Sequence, residues 1–234
     1  MPVNAMEQTR TEALVNEFVR SVYNWMAVGL GLTGVVAWYV SSSPAAIQMV
    51  FGNRILFFVL IIAQLGMVFS LSGMISRMSA GTATGLFVLY SALNGVTFSF
   101  IFLVYTQTSI VSTFFVCAGT FLACSIYGWT TKRDLTSFGG FFMMGLIGII
   151  VASLVNLFIR SSGLSMMISY IGVFVFVGLT AYDTQKIKHL AMTQPGDLEA
   201  GVVRKGAILG ALSLYLDFIN LFLMLLRIFG QTRE

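Results

Sequence analysis

The sequence predicts an all-α, polytopic membrane protein of seven transmembrane helices. Three observations carry this. Hydrophobic residues make up 57% of the 234 residues and charged ones only 9%, against about 25% charged in a soluble domain. Mean hydropathy is +0.90, so the chain has too few charges to cover a water-facing globule. Finally, the apolar runs are continuous and long enough for helical spans of about 20 residues, whereas barrel strands would alternate over about 10.

The elements read in order as a polar cytoplasmic N-terminal segment, residues 1–20, and a transmembrane domain, residues 21–234. The first segment holds Glu7, Glu12 and Glu17 among Arg10 and Arg20. Its acids, and the length of the run that follows, exclude a signal peptide with a 7–15-residue apolar core. Span one covers about Ser21 to Val40 and ends at Ser42-Ser43-Pro44, where proline cannot continue a helix. Span two runs from Arg54 to Ile75, three from Gly81 to Tyr105 and four from Ser109 to Trp129. Span five covers Phe138 to Phe158 and six Leu164 to Ile187. A polar loop with Gln194-Pro195-Gly196-Asp197 leads to span seven, Gly206 to Phe229. No internal repeat of the inverted-transporter kind stands out.

Basic residues orient these spans. Nine of the thirteen fall on one side: Arg10, Arg20, Arg77, Lys132, Arg133, Lys186, Lys188, Arg204 and Lys205. Arg54, Arg160, Arg227 and Arg233 fall on the other. The positive-inside rule then places the N-terminus in the cytoplasm and the C-terminus outside. A re-entrant last span would return the C-terminus to the cytoplasm. The net charge of +4 is spread singly or in pairs at helix ends, which suits lipid headgroups and argues against nucleic acid as a partner.

Seven of the nine acidic residues lie in tails or loops; Asp183 and Asp217 do not. A carboxylate at the bilayer centre costs roughly 2.5–3.5 kcal/mol on insertion scales and is functional by default. Ser213, Asp217 and Asn220 are spaced four and three apart and share one helix face. Leu216, Phe218, Leu221 and Phe222 are expected to make the rest of that helix lipid-compatible. The bland readings are that Ser213 and Asn220 are interhelical hydrogen-bonding residues and that Asp183 pairs with Lys186. Asp183 is expected about 6 Å inside span six and Asp217 about 16 Å inside span seven, within reach of each other after a small shift.

Two carboxylates sharing one buried site would titrate as a coupled pair. They would form a pH sensor and a transient cation site. Calcium takes 6–8 oxygens and the pair offers at most four, so permeation fits better than storage. Arg77, at the end of span two, is a candidate latch that would hold an ionised aspartate and release it on protonation; snorkelling is its bland reading. Ser91 and Asn94 are expected to hydrogen-bond between helices. Gly81-x-x-x-Gly85 and Gly206-x-x-x-Gly210 are expected to mark close helix packing. Cys117 and Cys124, seven apart on one helix, are too distant to bridge; with His189 they form no zinc spacing.

No hydrolase or nucleotide motif is present. Leu216-Asp217-Phe218 lacks the neighbouring glycine of intramembrane aspartyl proteases. A non-enzymatic protein without a resident cofactor is therefore expected.

The segments Phe176-Val177-Gly178-Leu179-Thr180-Ala181-Tyr182-Asp183-Thr184-Gln185-Lys186 and Ala211-Leu212-Ser213-Leu214-Tyr215-Leu216-Asp217-Phe218-Ile219-Asn220-Leu221-Phe222 resemble signatures of the Bax inhibitor-1 family, most of all its bacterial inner-membrane members. The resemblance covers nearly the whole chain. It implies seven helices with the last one central, and a pH-sensitive calcium leak whose sensor is Asp183 with Asp217, supported by Tyr182, Ser213 and Asn220. It also implies a gate arginine, matched by position though not by surrounding sequence at Arg77. Some bacterial relatives interact with a membrane protease, which gives the alternative expectation of an interaction protein without ion transport.

Overall fold

A computed structural model describes residues 2–193 and 199–233, with side chains from residue 13 onward. The loop Gln194-Pro195-Gly196-Asp197 lies outside the described residues. Nine α-helices follow one another among them: α1 Pro2–Ser41, α2 Pro44–Phe51, α3 Arg54–Met74, α4 Ala80–Phe98, α5 Ile101–Val104, α6 Gln107–Thr130, α7 Thr136–Ile159, α8 Ser162–Thr193 and α9 Ala200–Phe229. Six of the helical stretches are long and apolar enough to cross a membrane, and seven if the bent pair α1–α2 forms one span. The chain is thus an all-α, multi-pass membrane protein.

Local chemistry sets the boundaries. The polar N-terminal segment is continuous with the first span in one helix. At its end Ser41 and Ser42 both donate to the Trp38 carbonyl, at 2.7 and 2.8 Å. The expected stop at Ser42-Ser43-Pro44 occurs, but the chain starts a new helix there, with Ser43 as N-cap and Pro44 in the first turn where its missing N–H costs nothing. The two axes differ by 102°. Asn53, Ser79 and Thr106 cap α3, α4 and α6 by accepting from backbone N–H groups. Span three is interrupted at Ser99, whose hydroxyl turns back to the Val96 carbonyl at 2.7 Å.

Two compact units divide the chain. The first comprises Met1–Val104 with Leu190–Tyr215. In it α1 packs on α4, with α3 beside α4. Gly29 makes this approach possible: a Cβ there would stand 2.8 Å from the Phe87 ring. The Thr33 hydroxyl meets the Ser91 carbonyl at 2.8 Å and the Tyr215 hydroxyl at 2.7 Å. Carbonyls can only accept, so Thr33 directs its one proton to the Ser91 and Gly29 carbonyls and Tyr215 donates to Thr33. Gln64 donates to the Leu93 carbonyl at 2.9 Å and so joins α3 to α4.

The second unit comprises Tyr105–His189 with Leu216–Glu234. Here Phe218 of α9 stacks against Phe114 and Phe121 of α6, with ring centroids 5.5 and 5.4 Å apart, and the Cys117 thiol approaches the Phe218 carbonyl at 3.6 Å. Gly172 of α8 admits Met224 of α9, and Gly145 of α7 admits Val175 of α8.

Burial ranks the spans. The apolar stretches of α3 and α7 are only 6% buried within the protein, whereas that of α9 is 61% buried. The last helix is the most enclosed of the candidate spans. The face expected to be lipid-compatible is instead packed: Phe218, Leu221 and Phe222 are all buried, with the rings of Phe218 and Phe222 against α6.

Three other expectations change. The Ser91 and Asn94 side chains donate to carbonyls of their own helix, Phe87 and Tyr90; the bond between helices at Ser91 is made by its carbonyl, which accepts from Thr33. Gly85 has no atom within 4 Å of a built Cβ, and Gly81 only its neighbour Ser79 at 3.8 Å; this pair marks no close packing. Glycines that do include Gly29, Gly95, Gly128, Gly139, Gly145, Gly172 and Gly178, none of which the four-residue spacing picks out. Finally α8 runs to Thr193, six residues beyond the expected Ile187. Asp183 therefore lies about 15 Å from the helix end rather than 6 Å.

Candidate functional site

The site is built from the two signature segments, and in α8 each residue has a contact that explains it. Gly178 gives room to the Phe142 ring, since a Cβ would overlap it. Thr180 is fully enclosed and returns its hydroxyl to the Phe176 carbonyl at 2.7 Å. Gly128 of α6 lies directly on the Ala181 carbonyl, and Gly139 of α7 lies against the Tyr182 ring. Thr184 donates to Ser125 of α6 at 3.4 Å. Small residues on α6 and α7 thus bring their backbones onto the face of α8 that flanks Asp183.

Gln185 is the residue that sequence reasoning passed over. It is buried and grips the α6–α7 loop twice: its carbonyl accepts from Leu135 N–H at 2.8 Å and its amide donates to the Arg133 carbonyl at 2.9 Å. Leu135 precedes α7 and has no capping side chain, so Gln185 does that work from another helix. One turn on, Lys188 donates to the Trp129 carbonyl at 2.7 Å and sits over the Trp129 ring, 5.4 Å from its centroid. The only signal in the sequence was the motif itself; glutamine inside an apolar helix reads as generic glue.

On α9, Asp217 is 5% exposed. Its Oδ2 is wholly buried and has no hydrogen-bond partner among the described residues, a state that costs a polar group several kcal/mol in an apolar interior. Its strongest electrostatic neighbour is Asp183, which is half-buried and feels Lys186 through space. Both aspartates lie in the second unit, and Asp183 is the charge that acts on Asp217 through space. Asn220, half-buried, spends its amide on the Leu216 carbonyl at 2.8 Å, so it braces its own helix instead of joining another. Ser213 is half-buried on the same helix, and Tyr182 is half-buried on α8.

Arg77 stands in the first unit, exposed, as the last residue of a 3-10 turn, Ile75–Arg77, that closes α3. Beside it Lys205 of α9 donates to the Ser76 carbonyl at 3.3 Å. Arg204 covers Trp25 of α1, 5.5 Å from the ring centroid.

Outside the spans, Asp134 in the α6–α7 loop is held below the usual carboxylate range by hydrogen bonds from the Thr136 side chain and backbone; the backbone bond is 2.8 Å. Asp134 is thus ionised through the neutral range and cannot supply a pH response there.

In chemical terms, the α8–α9 site can exchange a proton and attract a cation. It offers two carboxylates at most, and calcium's 6–8 oxygens exceed that, so any cation there must keep much of its water.

Comparison with known proteins agrees with this architecture. The family model described as inhibitor of apoptosis-promoting Bax1 matches residues 15–234. The chain is 57% identical over 216 residues to inner membrane protein YbhL of Escherichia coli, covering 92% of each. It is 48% identical over 230 residues to a protein of Borreliella burgdorferi, covering 98% of each. A membrane protein of Streptococcus pyogenes is 40% identical over 227 residues, with 96% of each covered.

Proposed function

Since this chain belongs to the Bax inhibitor-1 family, we propose that it is a passive, pH-sensitive cation leak of the bacterial inner membrane, with calcium as the permeant ion. One observation carries the reading: a buried carboxylate oxygen of Asp217 with no hydrogen-bond partner among the described residues, on the most enclosed helix, next to a second carboxylate. An ionisable group so placed inside a span is functional by default. Two neighbouring carboxylates cannot both ionise cheaply, so gain or loss of one proton changes the charge of the site by a full unit. That change is large enough to bias a closed–open equilibrium of a few kcal/mol.

The latch assigned to Arg77 belongs to the same proposal, as does the inner-membrane location, which rests on the printed name of the Escherichia coli relative. An ionised aspartate is the form an arginine would hold, so the leak opens as pH falls. The test is calcium influx into proteoliposomes of purified protein between pH 5 and 8. Influx should rise toward pH 5 in the wild type, and Asp217→Asn should flatten that dependence. Influx no greater than in empty liposomes at every pH would remove the leak and leave the membrane-protease interaction as the reading to pursue.

A further inference from the structure

A second polar site sits at the opposite end of α9 from its start. A cleft of about 520 Å³ opens where the end of α7, the beginning of α8 and the last turn of α9 meet, within the second unit. Arg160 and Arg227 both line it, together with Asn156 and Ser165, and the lining holds no carboxylate. Its inner wall is Ile168, which is buried; its outer lip is Leu157 and Phe158, 68% and 84% exposed.

Two guanidiniums in one cleft repel each other. Arg227, in the last turn of α9, suits the helix dipole there, but the dipole does not account for a second arginine beside it. The only hydrogen bond Arg227 makes among the described residues is a long one to the Ser165 hydroxyl, at 3.4 Å. Arg160 is held in a left-handed conformation, φ 55°, and is the only described non-glycine residue with positive φ. It ends α7 at the position that glycine ordinarily takes, a conformation that is strained for a residue with a side chain. Asn156 fixes the turn by accepting from Ser161 N–H at 3.0 Å. The backbone thus holds an arginine at a strained place on the rim of a cleft that already contains one.

We propose that this cleft binds the phosphate of an anionic phospholipid. The two guanidiniums provide forked donors that match phosphate oxygens. The exposed Leu157 and Phe158 give the acyl chains an apolar wall, a feature that free phosphate would not need. The site lies among the ends of three candidate spans, and the ends of spans are where a chain meets headgroups.

The test is lipid retention by native mass spectrometry, using purified full-length protein in mild detergent with phosphatidylglycerol or phosphatidylcholine. The wild type should prefer phosphatidylglycerol, by roughly a factor of five per arginine. Arg160→Gln with Arg227→Gln should abolish that preference, and Arg54→Gln, outside the cleft, should leave it intact. Equal retention of both lipids, or an undiminished preference in the double variant, overturns the proposal. Millimolar inorganic phosphate that displaces the bound phosphatidylglycerol would make this a free-anion site and overturns it as well. Should the double variant fail to fold, the wild-type melting midpoint decides. It should rise with phosphatidylglycerol and not with phosphatidylcholine or phosphate, and the reverse pattern rejects the site.

Discussion

At the scale of single residues, the contrast between Gln185 and Asp217 separates structure from function. Gln185 satisfies two loop backbone groups from inside a helix, and its removal leaves both without those partners. Gln185→Ala is therefore expected to cost about 1–3 kcal/mol, seen as a lower melting midpoint in detergent. Gln185→Glu keeps the acceptor for Leu135 and should cost less. Asp217 does the reverse: its buried Oδ2 is unsatisfied, so it lowers stability where Gln185 raises it. Asp134 is excluded as the pH sensor by the sign of its shift. A carboxyl whose pKa is depressed in the folded state contributes stability above its unfolded value of about 3.9, and loses it only as pH falls through the lower folded value. Nothing in that window reaches pH 5 to 8.

At the scale of helices, the close approaches in the second unit depend on glycines that admit a neighbour's backbone or ring. Gly128→Ala would place a methyl against the Ala181 carbonyl, where neither backbone can yield cheaply. An overpacking cost of about 1–3 kcal/mol is expected, again read as a melting midpoint. Gly85→Ala, with no atom within 4 Å of the new carbon, should be neutral or stabilising by about 0.5–1 kcal/mol from helix propensity. Equal effects at the two sites would contradict this packing. The difference explains what the sequence could convey. Apolar runs placed spans two to five to within two residues at each end, because hydrocarbon demands continuous helices. Spacing of small residues misassigned Gly81 and Gly85, because whether a glycine is close-packed depends on what faces it, and that is a tertiary fact. The turn into α2 and the six-residue extension of α8 were illegible for a similar reason: Lys188 continues the helix by bonding to Trp129 of α6.

At the scale of the whole molecule, α9 organises both the fold and the proposed activity. It is unbroken over Ala200–Phe229, about 45 Å at 1.5 Å per residue, which exceeds the roughly 30 Å hydrocarbon core. That length supports a full crossing over a re-entrant path; with a cytoplasmic N-terminus and seven crossings, both proposed, the C-terminus would lie outside. Arg233→Cys, in a chain with Cys117 and Cys124 replaced by serine, should react with an impermeant maleimide in intact cells; labelling only after permeabilisation would put the C-terminus back in the cytoplasm. The aspartate pair was legible as two residue identities, because a membrane chain retains few buried acids. Its enclosure and the unsatisfied oxygen became visible only with the packing around α9. If Asp183 and Asp217 act as one proton-exchanging unit, their effects on the leak must be non-additive. The measurement that bears on this most directly is calcium influx from pH 5 to 8 for Asp183→Asn, Asp217→Asn and the double variant in matched proteoliposomes. One shared site should give three equally flattened pH profiles, the double variant no different from either single one. Single variants that each keep part of the pH response, with losses that add in the double, would show two independent groups and contradict the paired sensor.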